Sequence, residues 1–215
     1  MTTRRSAFNT ILRLLKSPLA EKLNILCGLF FRLKGVLYYR RVFGSFGSGS
    51  VLYKPLLLSC PQFMHIGSGV LIRPGARLEA VETSSQKPPE LRIGKNVNIE
   101  QNVHIVCHSR IVIGNDVSIT GHCAIVDVTH PYEDVSNPVK IGSRILSEQS
   151  SVEIGDGTFL GFGAVIMPNV RIGTHCVIGA LSVVTRDMPD YSVAAGNPAR
   201  ILRRYDAASK EWISL

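Results

Sequence analysis

Six histidines (65, 104, 108, 122, 130 and 175) and five cysteines (27, 60, 107, 123 and 176) are the side chains best suited to proton transfer or nucleophilic attack. Consecutive histidines are 39, 4, 14, 8 and 45 residues apart, which gives no tri-histidine zinc set, and no two cysteines form a CxxC pair. Metal catalysis is therefore not expected. An odd cysteine count without pairing reads as reduced thiols in a cytosolic protein. Cys107 is the candidate for a covalent route, whereas Cys123 and Cys176 fall at compact positions of a repeat and read as packing residues. His130 has carboxylates nearby: Asp127 lies three residues earlier, and Glu133 and Asp134 follow, so any of the three could orient the imidazole. His65 and His175 read as exposed.

The elements that must hold these residues repeat every six positions. Ile154, Leu160, Ile166, Ile172, Ile178 and Val184 form one unbroken run, with glycine after four of them: Gly155, Gly161, Gly173 and Gly179. Earlier blocks repeat the pattern at Ile66, Ile72 and Leu78, at Ile93, Ile99 and Ile105, and at Ile113, Ile119 and Ile125. Six is not a helical period, and hairpin strands do not keep one phase for so long. The period describes a parallel β-helix in which each hexad supplies a short strand and a corner. Three hexads close a triangular coil of 18 residues, large aliphatics fill the interior, and glycine after the anchor suits an awkward turn. On that geometry His104 stacks on His122.

Two segments break the phase. Residues 79–90 are polar and contain Pro88 and Pro89, and residues 127–153 separate anchors Ile125 and Ile154. Long loops on a rigid scaffold carry function or motion. The expected organisation is an arm over residues 1–45, a β-helix domain over 46–205 and a tail over 206–215 that forms a short helix. Of the 215 residues, the arm holds nine bases against Glu21 alone, so the whole net charge of +8 resides there. Its apolar stretches are interrupted by charge, so it reads neither as a cleaved signal peptide nor as a bilayer-spanning helix. The bases alternate with Leu, Phe and Tyr, which suits an anionic membrane surface or packing on the body better than nucleic acid.

The hexads, the loop sequence Asp127-Val128-Thr129-His130-Pro131 and the ending that runs from Val183 through Thr185, Arg186, Gly196 and Pro198 to Arg200 resemble the left-handed β-helix acyltransferases. Within them the chain is most similar to the sugar O-acetyltransferases. The arm ending Arg41-Val42-Phe43-Gly44 resembles the branch associated with bacterial surface polysaccharides. The resemblance implies an all-β fold, a left-handed parallel β-helix with an extended catalytic loop and a helical basic arm. It also implies transfer of acetyl from acetyl-CoA to a sugar hydroxyl, with His130 as general base taking the proton of the attacking alcohol.

Under the same resemblance, Phe162 and Ala180 contact the pantetheine arm, Thr185 and Arg186 lie near the adenine end, and Arg200 and Arg203 face phosphate. His108 stands where relatives carry an acidic acceptor-binding residue, so it becomes the candidate contact to the acceptor. A homotrimer with sites between subunits follows, in the cytoplasm or at the inner face of the cytoplasmic membrane, with acetyl-CoA and a glycan as partners and no metal. A nucleotide-sugar N-acetyltransferase and a non-catalytic β-helix scaffold are the competing readings.

Overall fold

The computed structural model describes residue 14 and residues 16–83, 87–146 and 148–215. Arg4, Arg5, Arg13 and Ser84–Gln86 of the first broken segment lie outside the described residues. Three parallel sheets wrap around one axis. Six strands form the first sheet, from Ser45–Phe46 to Val170–Ile172, and six form the third, from Leu57–Ser59 to Val183–Val184. The second sheet has nine strands, because three C-terminal strands extend it.

The aliphatic anchors stack into interior columns. Leu52, Ile72, Ile99, Ile119, Leu160 and Ile178 follow one another up the second sheet, each no more than 1% exposed. Each such side chain contributes roughly 1.5–3 kcal/mol by leaving water. The domain is the left-handed β-helix that the hexads require.

Coil length departs from the expected constant value of 18. Ile99 lies beside Ile119 and Ile105 beside Ile125, a rise of 20 residues, and only the last coils, with Ile154 beside Ile172, use 18. The extra residues sit at the third corner, where the chain leaves the third sheet for the first sheet of the next coil. His122 is consequently not stacked on His104. It stands against Asn102, whose Nδ2 is 3.2 Å from its Nε2, and His104 pairs with Ala124 and Arg77.

The glycine after the anchor has a different role from the one expected. A Cβ on Gly155 would lie 2.5 Å from the Gly173 carbonyl carbon, so close backbone approach between coils excludes a side chain there. The left-handed backbone falls later in each corner, on residues such as Asn96, Asp116 and His122.

At the N-terminal end, helix α1 (Leu19–Lys34) leads into a π-turn at Gly35–Tyr39. Glu21 in its first turn and Arg32 and Lys34 in its last complement the helix dipole. Phe31 is buried against Tyr53, with ring centroids 5.0 Å apart. Tyr39, Phe43 and Phe46 form an aromatic plug, with centroids 5.3–5.6 Å apart, over the first coil.

The expected C-terminal helix is absent. Strands Ser192–Gly196, Ala199–Asp206 and Glu211–Ser214 instead form an antiparallel meander on the second sheet. Asp206 explains this: its carboxylate accepts the N–H groups of Ala208 and Ser209 and the Ser209 hydroxyl, and so fixes a reverse turn. Ten residues are too few for a helix without strong packing. Tyr205 and Trp212 close the hairpin edge to face at 5.6 Å.

Candidate active site

All of the variation in coil length collects at the third corner, and so do the candidate proton-transfer residues. The step from one anchor to the next there is eight residues from Ile105 to Ile113, and the chain between Ile125 and Ile154 carries the long loop. His108, Asp127 and His130 all occupy this corner.

His130 is exposed on the long loop, and its Nδ1 lies 2.7 Å from the Arg144 carbonyl oxygen. A carbonyl can only accept, so Nδ1 carries the proton and Nε2 keeps the lone pair. That is the tautomer a general base needs. Arg144 also organises the loop through its side chain. Its guanidinium donates to the carbonyls of Asp134 (2.9 Å), Asn137 (2.7 Å) and Val139 (2.8 Å). The loop ends are tied where the Leu146 N–H donates to the Thr129 carbonyl at 3.0 Å. Nothing in the sequence singled out Arg144, because a lone arginine in a long loop looks like solvated charge.

Asp127 does not orient His130, contrary to the expectation from its spacing. The strand that ends at Val126 carries its side chain into the corner, where it is 1% exposed. There the carboxylate accepts the backbone N–H of His108, of Ser109 at 2.9 Å and of Arg110 at 2.7 Å. Three backbone donors on one carboxylate are a fixed anion nest. Burial raises the Asp127 carboxyl above its ordinary range, and these N–H groups pull it partly back. Asp127 also accepts the Ser150 hydroxyl through its own carbonyl, so one residue ties the 107–110 turn to the end of the loop. Glu133 accepts the Tyr132 N–H and Asp134 the N–H and hydroxyl of Ser136; neither touches the imidazole.

The turn held by Asp127 forms one wall of a cavity of about 340 Å³. Its walls come from the corners of three successive coils: Thr83 and Lys87–Glu90, then His108–Arg110, then Gln149–Ser151. His108 is 8% exposed; its Nε2 is 3.4 Å from the Thr83 hydroxyl and its Nδ1 3.3 Å from that of Ser109. Arg110 is ion-paired with Glu153 and lies 3.8 Å from Glu90. The lining mixes the apolar rings of Pro88 and Pro89 with hydroxyl, amide, imidazole and charged groups, a combination that suits a sugar with its apolar ring faces and hydroxyl edges, and the size falls within the usual range for small-molecule sites. A smaller crevice lined by Asp127, Thr129 and Leu146 shares Gln149 and Ser150 with this cavity, so it leads toward the loop that bears His130.

A covalent cysteine route finds no support at this corner. Burial, followed by the nearby Asp127 charge, pushes the Cys107 thiol far up, and burial raises Cys123 and Cys176 as well. Such thiols are poor nucleophiles.

The residues expected along the donor are distributed differently. Thr185 and Arg186 are exposed at the third corner, but Phe162 and Ala180 are exposed at the second corner, between the second and third sheets. Phe162 packs against His122 at 5.1 Å, and its carbonyl accepts the Leu181 N–H. Arg200 and Arg203 are exposed on the appended strand Ala199–Asp206. Exposed apolar groups at Phe162, Leu181 and Met167 and cations at Arg186, Arg200 and Arg203 suit a long thioester ending in phosphates. Within one protomer they are divided between corners: Met167 and Arg186 lie at the third, Phe162 and Leu181 at the second, and Arg200 and Arg203 on the appended strand. Among the described residues no cluster of His, Cys, Asp and Glu has the form of a metal site.

Comparison with known proteins agrees with the fold. The family described as bacterial transferase hexapeptide (six repeats) matches residues 151–186. The putative lipopolysaccharide biosynthesis O-acetyl transferase WbbJ of Escherichia coli K12 is 30% identical over 192 residues, covering 87% of this chain and 93% of that protein. The galactoside O-acetyltransferase of the same organism is 33% identical, covering 57% of this chain and 58% of the relative. The hexapeptide-repeat acetyltransferase VCA0836 of Vibrio cholerae, solved with acetyl coenzyme A, shares the fold with a TM-score of 0.53 at 21% identity, over 95% of this chain and 88% of that one. AntD, an N-acyltransferase from Bacillus cereus solved with dTDP and 3-hydroxybutyryl-CoA, superposes with a TM-score of 0.66 at 18% identity, over 79% of this chain and 87% of that one.

Proposed function

This chain belongs to the hexapeptide-repeat acetyltransferases, and we propose that it moves acetyl from acetyl-CoA to a sugar hydroxyl during synthesis of a bacterial surface polysaccharide. The observation that carries the reading is the bond from His130 Nδ1–H to the Arg144 carbonyl, which leaves Nε2 free to act as base. His130 accepts the proton of the acceptor hydroxyl as its oxygen attacks the thioester carbon. Backbone N–H groups stabilise the resulting oxyanion. When the C–S bond breaks, the imidazolium returns the proton to the departing thiolate, so the base is regenerated.

The cavity beside His108 is the natural acceptor subsite, because it carries hydrogen-bonding side chains and adjoins a crevice lined by Thr129 and Leu146 of the His130 loop. Phe162, Ala180, Thr185, Arg186, Arg200 and Arg203 would hold the donor. The position of Phe162 and Ala180 at the second corner, away from the corner that bears His130, supports a site closed between neighbouring protomers of a homotrimer. A cytoplasmic enzyme at the inner membrane face suits both acetyl-CoA and a growing surface glycan.

Replacing His130 with alanine is expected to lower kcat about 10²-fold or more while acetyl-CoA still binds. Steady-state kinetics and donor titration measure the two effects separately. Unchanged turnover would remove the mechanism, and surface glycan with the same acetyl content with and without the protein would remove the acceptor class.

A further inference from the structure

Helix α1 and the π-turn that continues it have two apolar faces. Gly28, Phe31, Gly35 and Tyr39 turn toward the prism, where Phe31 and Tyr39 are at most 5% exposed. On the opposite side Leu19, Leu23, Leu26, Phe30, Leu33 and Leu37 recur at intervals of four and three residues, each 49–73% exposed. A helix that packs by one stripe alone would carry polar residues on its outer side. Here the outer side is the more apolar one.

The charge on this helix and its flanks is predominantly positive. Lys16, Lys22, Arg32, Lys34, Arg40 and Arg41 accompany Glu21, and the chain before them adds Arg4, Arg5 and Arg13. A second copy laid on this face would set one row of cations against another. An anionic bilayer would meet both features, accepting leucine and phenylalanine among its acyl chains and the cations among its headgroups. Sixteen residues are too few to cross the hydrocarbon core, and no described helix is long and apolar enough to span a membrane.

We propose that the outward face of α1 docks on an anionic lipid surface, with the helix lying in the plane of the membrane. The docking would hold the third-corner site near a lipid-linked or membrane-assembled acceptor, and for that purpose alone it rests on the acetyltransferase reading. Lipid binding is measurable without acetyl-CoA or acceptor. A failure to bind would leave the transfer reaction standing, and an inactive protein that still binds would leave the docking standing.

The test is sedimentation of the full-length protein with vesicles of phosphatidylcholine containing one-third phosphatidylglycerol, and with vesicles of phosphatidylcholine alone. The expected result is about tenfold or greater preference for the anionic vesicles, weakening as salt is raised. Leu26→Ser/Phe30→Ser/Leu33→Ser should lower binding about tenfold without altering oligomeric state by light scattering, since Phe31, Gly35 and Tyr39 are untouched. Lys22→Glu/Arg32→Glu, which keeps every apolar contact, should remove the anionic preference. Wild-type protein that ignores anionic vesicles, variants that bind as well as wild type, or a triple variant whose oligomer falls apart would each overturn the proposal; the last would assign the face to a second copy.

Discussion

Replacing Asp127 with asparagine separates two roles for this carboxylate. Its two oxygens accept three backbone N–H groups, from His108, Ser109 and Arg110. An amide keeps one acceptor oxygen. If that oxygen retains Ser109 and Arg110, the amide NH₂ faces the N–H of His108, a residue only 8% exposed. One buried donor without a partner costs about 1–3 kcal/mol, partly offset because no charge is now buried. At about 2–4 °C per kcal/mol for a chain of this size, the melting temperature should fall by roughly 2–12 °C before that offset. The turn that carries His108 should loosen, raising the acceptor KM, while kcat falls less than about tenfold because Arg144 still orients His130.

Where a carboxylate does orient a catalytic imidazole, the same substitution costs about 10⁴-fold in kcat. Thermal melting together with kcat and KM for methyl β-galactopyranoside as a model acceptor distinguishes the two cases. A kcat loss above about 10³-fold in a protein with normal melting would refute the turn-anchoring role.

The sign of the pH dependence follows from burial. A carboxyl raised above its ordinary pKa binds its proton more tightly in the folded state, so its contribution to stability is full below the ordinary value and is lost as pH rises through the folded one. The gap in melting temperature between wild type and Asp127→Asn should therefore widen from pH 7 toward about pH 4. A narrowing gap would mean that the three N–H donors outweigh burial.

Two further outcomes test the corner. Arg144→Ala removes three charge-assisted bonds to loop carbonyls and should lower kcat about 10–100-fold with little change in melting temperature, since the loop lies outside the core; full activity would mean that the backbone alone positions the Arg144 carbonyl. Cys27, which is exposed, should react with a thiol-specific disulfide reagent in the native protein, whereas Cys107, Cys123 and Cys176 should react only on unfolding, so rapid native labelling of Cys107 would reopen a covalent route.

The β-helix was legible because its hydrophobic period is long, uninterrupted and unlike that of any helix or hairpin. Coil length was legible too, but required counting from Ile105 to Ile113 instead of assuming three equal hexads; that eight-residue step produces the 20-residue coils and moves His122 onto Asn102. The glycine role could not be read from spacing, because a left-handed turn and a close backbone approach select the same residue. The place of Asp127 is hidden in the sequence for a related reason. Three residues of separation suggest a contact within a loop, yet Asp127 continues the strand from Val126, and its side chain follows the corner inward. The tail failed on turn chemistry: Asp206 with Ser209 is a turn signal that outweighs weak helical propensity in so short a segment.

Why the site sits at the third corner follows from the other two. At the first, a Cβ on Gly67 or Gly94 would lie 2.3–2.5 Å from the backbone of the next coil, and at the second a Cβ on Gly161 would lie 2.6 Å from the Ala180 nitrogen. Coils there are in backbone contact, so an inserted residue would separate rungs that must pair at about 4.8 Å along three sheets. At the third corner Gly142, in the long loop, has open space around the position of a Cβ, and the close glycine contact among the described residues there lies at the N-terminal rim, where a Cβ on Gly44 would be 2.6 Å from the Gln62 carbonyl oxygen. It absorbs steps of six residues (Ile166 to Ile172), eight (Ile105 to Ile113) and a whole loop (Ile125 to Ile154) while the anchors on either side keep their register. A base on a loop and an acceptor cavity walled by three coils can therefore vary in length and composition at this edge without disturbing the aliphatic columns that stabilise the prism.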